Sequence, residues 1–101
     1  MNTLIFLDRA AQEFQEAAQW YEERSPGLGS RFIEAVQYRL EVVRDYPEGN
    51  PKRKMNFREA VVKIFPFTIV YVFYKRKKLV TVISIFHTSR NPALKFKRTK
   101  R

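Results

Sequence analysis

The chain changes its hydrophobic period near residue 55. Before that point apolar positions recur every three to four residues. After it they alternate or run continuously over short stretches, as in strands. Thr3–Leu7 is short, apolar and partly β-branched, and predicts a first strand. Asp8 then stands where an N-cap accepts a backbone N–H. Ala10, Ala11, Phe14, Ala17, Ala18 and Tyr21 form one helical stripe, with Gln12, Glu13, Gln15, Glu16 and Gln19 as its polar complement. A second helix is expected from Pro26 to Tyr46, with Ser25 as N-cap and Pro26 at the first helical position, where its missing N–H costs nothing. Its inner face reads Leu28, Phe32, Ala35, Val36, Leu40, Val43 and Tyr46, with Arg39 as the polar exception. Gly27 and Gly29 lower helix propensity in the first turn by roughly 1 kcal/mol each, and permit a close approach to the first helix. So short a link makes the two helices pack antiparallel.

Pro47-Glu48-Gly49-Asn50-Pro51 ends the second helix, and Lys52-Arg53-Lys54 reads as an exposed basic run. Three strands follow: Phe57–Ile64, Phe67–Tyr74 and Leu79–His87. Phe65-Pro66 and the charged loop Lys75-Arg76-Lys77-Lys78 separate them. Connections this short require antiparallel pairing. The order β-α-α-β-β-β predicts an α+β, two-layer domain spanning residues 1–101, with a helical hairpin on one face of a mainly antiparallel sheet and a basic C-terminal tail over about 91–101.

Both faces of the last two strands are apolar. Phe67, Ile69, Tyr71 and Phe73 alternate with Thr68, Val70, Val72 and Tyr74. Leu79, Thr81, Ile83, Ile85 and His87 alternate with Val80, Val82, Ser84 and Phe86. Helices cover only one face of a two-layer domain, and a solvated face normally turns polar. The alternative is that the tail folds over it, but with Ala93, Leu94 and Phe96 among lysines the tail is too short and polar to cover all of the second face. That face is therefore expected to meet another chain.

Charge adds a second asymmetry. The net charge is +10. Residues 1–51 carry five basic and nine acidic residues, a balance of −4. Residues 52–101 carry fifteen basic residues and one acid, Glu59, a balance of +14. A basic half attracts polyanions, either nucleic acid or an acidic protein. Basic residues interleaved with Phe57, Phe65, Tyr74, Phe86 and Phe96 are the pattern that contacts phosphates and stacks on bases, although core packing explains the same aromatics.

Other chemistries are poorly supplied. One histidine and no cysteine argue against a metal site, a thiol nucleophile and disulfides, and fit a reducing cytoplasm. No glycine-rich phosphate loop is present and no cofactor is expected. No apolar run reaches the length of a membrane span, and the N-terminus lacks the basic start of a signal peptide. What remains is His87 with Arg90, near Lys63 and Arg58. A metal-free ribonuclease needs a general acid/base and cations for the phosphorane-like transition state, and these residues could supply them. The alternative is that His87 merely ends a strand and Arg90 makes a surface ion pair.

Three segments resemble the RelE/ParE superfamily of toxins from type II toxin–antitoxin modules, nearer its ParE, plasmid stabilisation branch. They are Ala17-x-x-Trp20-Tyr21-Glu22 with Pro26-Gly27-Leu28-Gly29-x-Arg31-Phe32, then Phe65-Pro66-Phe67-Thr68-Ile69-Val70-Tyr71, then Ile85-Phe86-His87-Thr88-Ser89-Arg90-Asn91-Pro92. The resemblance implies a cytoplasmic toxin neutralised by a cognate antitoxin that wraps it, and it allows a toxin–antitoxin heterotetramer. It places antitoxin contacts at Val70, Val72, Tyr74 and Phe86. It implies one of two targets: DNA gyrase, poisoned by binding, or mRNA in the ribosome, cut by a metal-independent endoribonuclease. A non-toxic relative that binds only its antitoxin is the third reading. Target or nucleic-acid contacts fall to Arg58, Lys95, Lys97 and Arg98. The ribonuclease branch carries basic groups at positions that here match Glu59, Val61, Thr68 and Thr88, none of them basic. This favours binding, with His87, Arg90 and Lys63 as the catalytic set if the protein is a nuclease.

Overall fold

In a computed structural model that describes residues 1–89, the chain forms β1 (Thr3–Phe6), α1 (Asp8–Arg24), α2 (Leu28–Asp45), a 3-10 turn (Pro47–Gly49), β2 (Lys52–Lys54), β3 (Phe57–Val61), β4 (Phe67–Tyr74) and β5 (Leu79–His87). The strands form one sheet in the order β1-β5-β4-β3-β2. β1 runs parallel to β5, and the other pairings are antiparallel. The two-layer α+β class and the helical hairpin follow the hydrophobic pattern. β2 was not visible in it, because three charged residues carry no alternation. It pairs through its backbone at Phe57 and Arg58, as a charged edge strand does.

The helical corner is built differently from the expectation. Ser25 does not cap α2. It ends α1, donating its N–H to the Tyr21 carbonyl at 3.1 Å. The cause is Pro26, whose ring disfavours helical backbone in the preceding residue, and Ser25 is extended (φ −159°, ψ 122°). Gly27 then takes the left-handed region (φ 88°) and α2 begins at Leu28. The cap comes from α1: the Glu22 carboxylate accepts the Gly27 N–H at 3.0 Å and the Gly29 N–H at 3.0 Å, placing an anion at the positive end of α2. Gly29 answers to the close approach expected of it. A Cβ there would stand 2.6 Å from the Ala18 carbonyl oxygen. Asp8 likewise makes no capping bond. It sits inside the first turn of α1, and Leu7 precedes the helix.

The core lies between the helices and the sheet. Phe32, wholly buried, is its centre, with ring centroids 5.0 to 5.9 Å from Phe14, Tyr21, Phe65 and Phe67. Tyr46, expected on the inner face, is 70 % exposed, because the backbone leaves helical geometry there (φ −134°, ψ 63°). Burial raises the pKa of the Tyr21 hydroxyl above its ordinary value.

β5 carries an irregularity that corrects the expected side-chain parity. Val70 pairs with Ser84 but Tyr71 pairs with Val82, so Ile83 is the extra residue. Val80, Val82 and Ile85 therefore face the helices, while Ile83 and Phe86 face the opposite side. The Ile85 N–H is taken by the Glu13 carboxylate at 3.0 Å, which also accepts from Ser84 Oγ at 2.7 Å. Glu13, read as part of a solvated stripe, thus ties α1 to the bulge.

Candidate functional site

Four regions of the described residues bear on function. The first is the helix-free face of the sheet. Val70, Val72 and Phe86 are grouped there with Phe57 and Ile83, and Tyr74 packs at the margin. The four residues expected to meet the antitoxin thus share one surface. Within the chain Val70, Val72, Ile83 and Phe86 are at most 1 % exposed. Phe57 stands opposite Val72, and Phe57, Ile83 and Phe86 pack with the valines as a second small core. Thr68, also buried, keeps an Oγ1 without a hydrogen-bond partner.

The second region is a cleft of about 390 Å³ between α1 and the ends of β4 and β5, walled by Trp20, Tyr21, Phe67 and Ile85, with Glu16 and His87 among its polar groups. The His87 ring packs edge-on against Phe67, with centroids 4.9 Å apart. Its Nδ1 accepts the Ser89 backbone N–H at 3.1 Å and lies 2.7 Å from Ser89 Oγ. A backbone donor cannot reverse its role, so Nδ1 is the unprotonated nitrogen and neutral His87 carries its proton on Nε2. Arg24 lies 4.0 Å above the centroid of the half-exposed Trp20 ring, a cation–π contact.

The third is a wider groove of about 890 Å³ between α2 and the loop from β3 to β4. Lys63 lines it, beside Arg31 and Arg39. Lys63 and His87 therefore stand in different depressions, and the structure does not bring them into one site.

Behind that groove lies a buried polar knot. Arg58 is only 9 % exposed and donates from Nη1 to the Asn50 carbonyl. Arg39 Nη2 donates to Asn50 Oδ1 at 3.4 Å, Asn50 Nδ2 to the Tyr71 hydroxyl at 3.2 Å, and that hydroxyl to the Pro47 carbonyl at 2.7 Å. Arg58 was expected to touch nucleic acid. It instead pins the 47–51 loop to the sheet, because its even register with Ala60 turns it under the helices rather than outward. Burial raises the Tyr71 pKa, against smaller lowering effects from Asn50, Arg58 and Arg39. The proton is held more tightly in the folded state, so stability is full below pH ~10 and falls as pH climbs past it. Tyr71→Phe is expected to cost about 1–2 kcal/mol at pH 7, by leaving the Pro47 carbonyl without its donor, and to flatten the alkaline decline. Thermal melts between pH 7 and 11 check both. An unchanged alkaline slope in the variant would assign the decline to other groups.

The fourth region is basic. Lys52, Arg53 and Lys54 on β2 and Lys75, Arg76, Lys77 and Lys78 in the β4–β5 turn are all exposed. Lys54 pairs with Phe57 and Phe57 with Val72, so the two runs meet at one end of the sheet, roughly 15 Å apart at strand spacing. Glu48 balances only Lys75, at 3.8 Å. Arg90, Lys95, Lys97 and Arg98, and the basic tail, lie outside the described residues.

Among the described residues no three His, Cys, Asp or Glu side chains are grouped to hold a metal ion, and no helix is long and apolar enough to cross a membrane.

The layered sheet and helical hairpin are those of the RelE/ParE toxins. The chain superposes on the toxin fold in three solved structures. One is the intact E. coli RelBE toxin–antitoxin complex (TM-score 0.69, 26% identity, 89% of this chain and 100% of that one). Another is the isolated E. coli RelE toxin (TM-score 0.68, 25% identity, 92% and 90%). The third, the chromosomal ParDE system from P. aeruginosa, matches with TM-score 0.63 at 18% identity over 88% and 98%, a likeness of fold alone. No curated protein sequence matches the chain. Residues 4–92 match the family of the ParE toxin of the type II toxin–antitoxin system parDE, and the chain belongs to that family. It is thus a toxin of the type II toxin–antitoxin class, a class whose members pair with a cognate antitoxin.

Proposed function

We propose that this protein acts in the ParE manner, binding DNA gyrase in the cytoplasm without catalysis of its own, until its cognate antitoxin neutralises it. The observation that carries the reading is the contrast between its cations. The groups that could run acid–base chemistry are dispersed: Lys63 faces α2, Arg58 is committed to Asn50, and His87 has one ring nitrogen occupied by Ser89. Seven exposed cations, by contrast, converge at one end of the sheet, where they suit a target that holds DNA.

A second reading is kept because of the likeness to RelE at 25–26% identity. In that reading His87, through Nε2, serves with Arg90 and Lys63 in cleavage of ribosome-bound mRNA. Purified protein separates the two. Inhibition of gyrase supercoiling with translation unaffected is the expected result. Cleavage of ribosome-bound mRNA that disappears in His87→Ala and Arg90→Ala would overturn it. Inactivity in both assays would leave a relative that binds only its antitoxin.

A further inference from the structure

The turn between β2 and β3 holds a feature that neither the core nor the net charge explains. Met55 is 77 % exposed and its backbone is left-handed, at φ 54°. It is the first residue of the two-residue turn between Lys54 and Phe57, a place that tight hairpins normally give to glycine. A side chain there is strained, and glycine would relieve the strain. Burial offers no compensation, because the methionine stands in water. The turn thus presents an apolar group at a conformational cost that packing within the fold does not offset.

The surroundings narrow what that group meets. β3 opens at Phe57 opposite Val72, so the Met55 turn lies at the same end of the sheet as the β4–β5 turn. Met55 therefore stands between the cations of β2 and, across β3 and β4, those of residues 75–78. Among the described ion pairs only Glu48 meets either run, at an exposed 3.8 Å from Lys75. Two rows of cations roughly 15 Å apart with an apolar side chain between them complement a duplex. Phosphates line both walls of its major groove, about 12 Å wide, and base edges with thymine methyls lie between them. A lipid surface also carries phosphates, but docking there takes a broad apolar face, whereas here one methionine stands among seven cations.

We propose that this end of the sheet binds duplex DNA directly, with the two basic runs on phosphates either side of the major groove and Met55 against the base edges between them. This rests on the gyrase reading and deepens it: the cations meet the DNA that gyrase holds, rather than the protein surface of gyrase. The two kinds of contact are separable by measurement. Phosphate contacts release counterions and weaken with salt, whereas an apolar contact adds nothing to that dependence.

The test is fluorescence anisotropy of a labelled mixed-sequence duplex of about 20 base pairs, titrated with the purified full-length protein, without gyrase, between about 50 and 200 mM salt. The logarithm of the affinity is expected to fall against log salt with a slope of about −4 to −6, at about 0.9 per phosphate contact. Arg53→Ala, Arg76→Ala and Lys77→Ala together should make that slope shallower by about 2–3. Met55→Gly should weaken binding about fivefold or more at every salt concentration and leave the slope alone. It should also hold or raise Tm, because the left-handed backbone is relaxed. The cations of residues 90–101 are the same in all three proteins, so the differences report the end of the sheet. A Met55→Gly variant that binds like wild type, or a triple variant with an unchanged slope, would overturn the assignment. Tighter binding to a single-stranded RNA of about 20 nucleotides would overturn it in favour of an RNA surface. If the duplex is not bound while gyrase is inhibited, the proposal falls and the gyrase reading stands. Duplex binding as expected with supercoiling untouched would keep the DNA site and remove gyrase as its setting.

Discussion

Phe32→Ala is expected to leave the domain close to its unfolding threshold at 25 °C. Phe32 is wholly buried and meets Phe14, Tyr21, Phe65 and Phe67 at once, so it joins α1, α2 and the β3–β4 connection. Truncating a buried phenylalanine costs about 3–5 kcal/mol in transfer and cavity terms. The aromatic pairs it loses add to that, each by about 0.5–1.5 kcal/mol beyond burial, though the terms overlap. A domain of this size has about 5–15 kcal/mol in total. A loss near 4 kcal/mol is therefore a large fraction, and lowers Tm by about 15–30 °C. Trp20→Ala is the control, since its half-exposed ring packs chiefly on Tyr21 and Arg24 and should cost about 1 kcal/mol. Urea unfolding of both variants decides it. A cost for Phe32→Ala no greater than that for Trp20→Ala would mean the helical hairpin does not depend on this aromatic centre.

The same contrast shows what could be read before the fold was known. Phe32 and Tyr21 were legible as core because they recur at helical spacing, and β4 and β5 were legible to the residue because both are continuous apolar runs between charged turns. What escaped depends on partners distant in sequence. Ile83 swaps the parity of β5 through a bulge that no single-strand pattern reveals. Glu13 has the spacing of a surface residue, and turns inward only because the bulge offers it the Ile85 N–H. Glu22 caps a helix from across the corner, a role invisible to a rule that looks only at Ser25. The site was less legible than the fold for the same reason. The wider groove joins Tyr38 and Val42 of α2 to Val61 and Ile64, more than eighteen residues away along the chain, and the left-handed backbone of Ile64 has no sequence signature. Val70, Val72, Tyr74 and Phe86 were correctly gathered on one face, since strand parity alone places three of them. That these side chains are buried within the chain is not something strand parity reports.

Charge reversal at the basic end of the sheet is expected to abolish action on the target while leaving the fold intact. Arg53→Glu, Arg76→Glu and Lys77→Glu together change the net charge by six units, from +10 to +4. All three side chains are exposed and none makes an ion pair among the described contacts, so their loss removes no packing. Lys78 is left unchanged because it shapes the turn: its backbone has φ 50°, and its carbonyl receives the Thr3 N–H. Removing like charges that repel one another should hold Tm constant or raise it slightly. Encounter with a polyanionic target depends on this field, which raises on-rates by about 10–1,000-fold and weakens with salt. Half-inhibition of supercoiling should therefore require at least about 100-fold more of the triple variant than of wild type near 50 mM salt, and the gap should narrow steeply by about 200 mM. A triple variant as potent as wild type at both salt concentrations would show that the convergent cations are a solubilising surface, and that target recognition lies elsewhere on the chain.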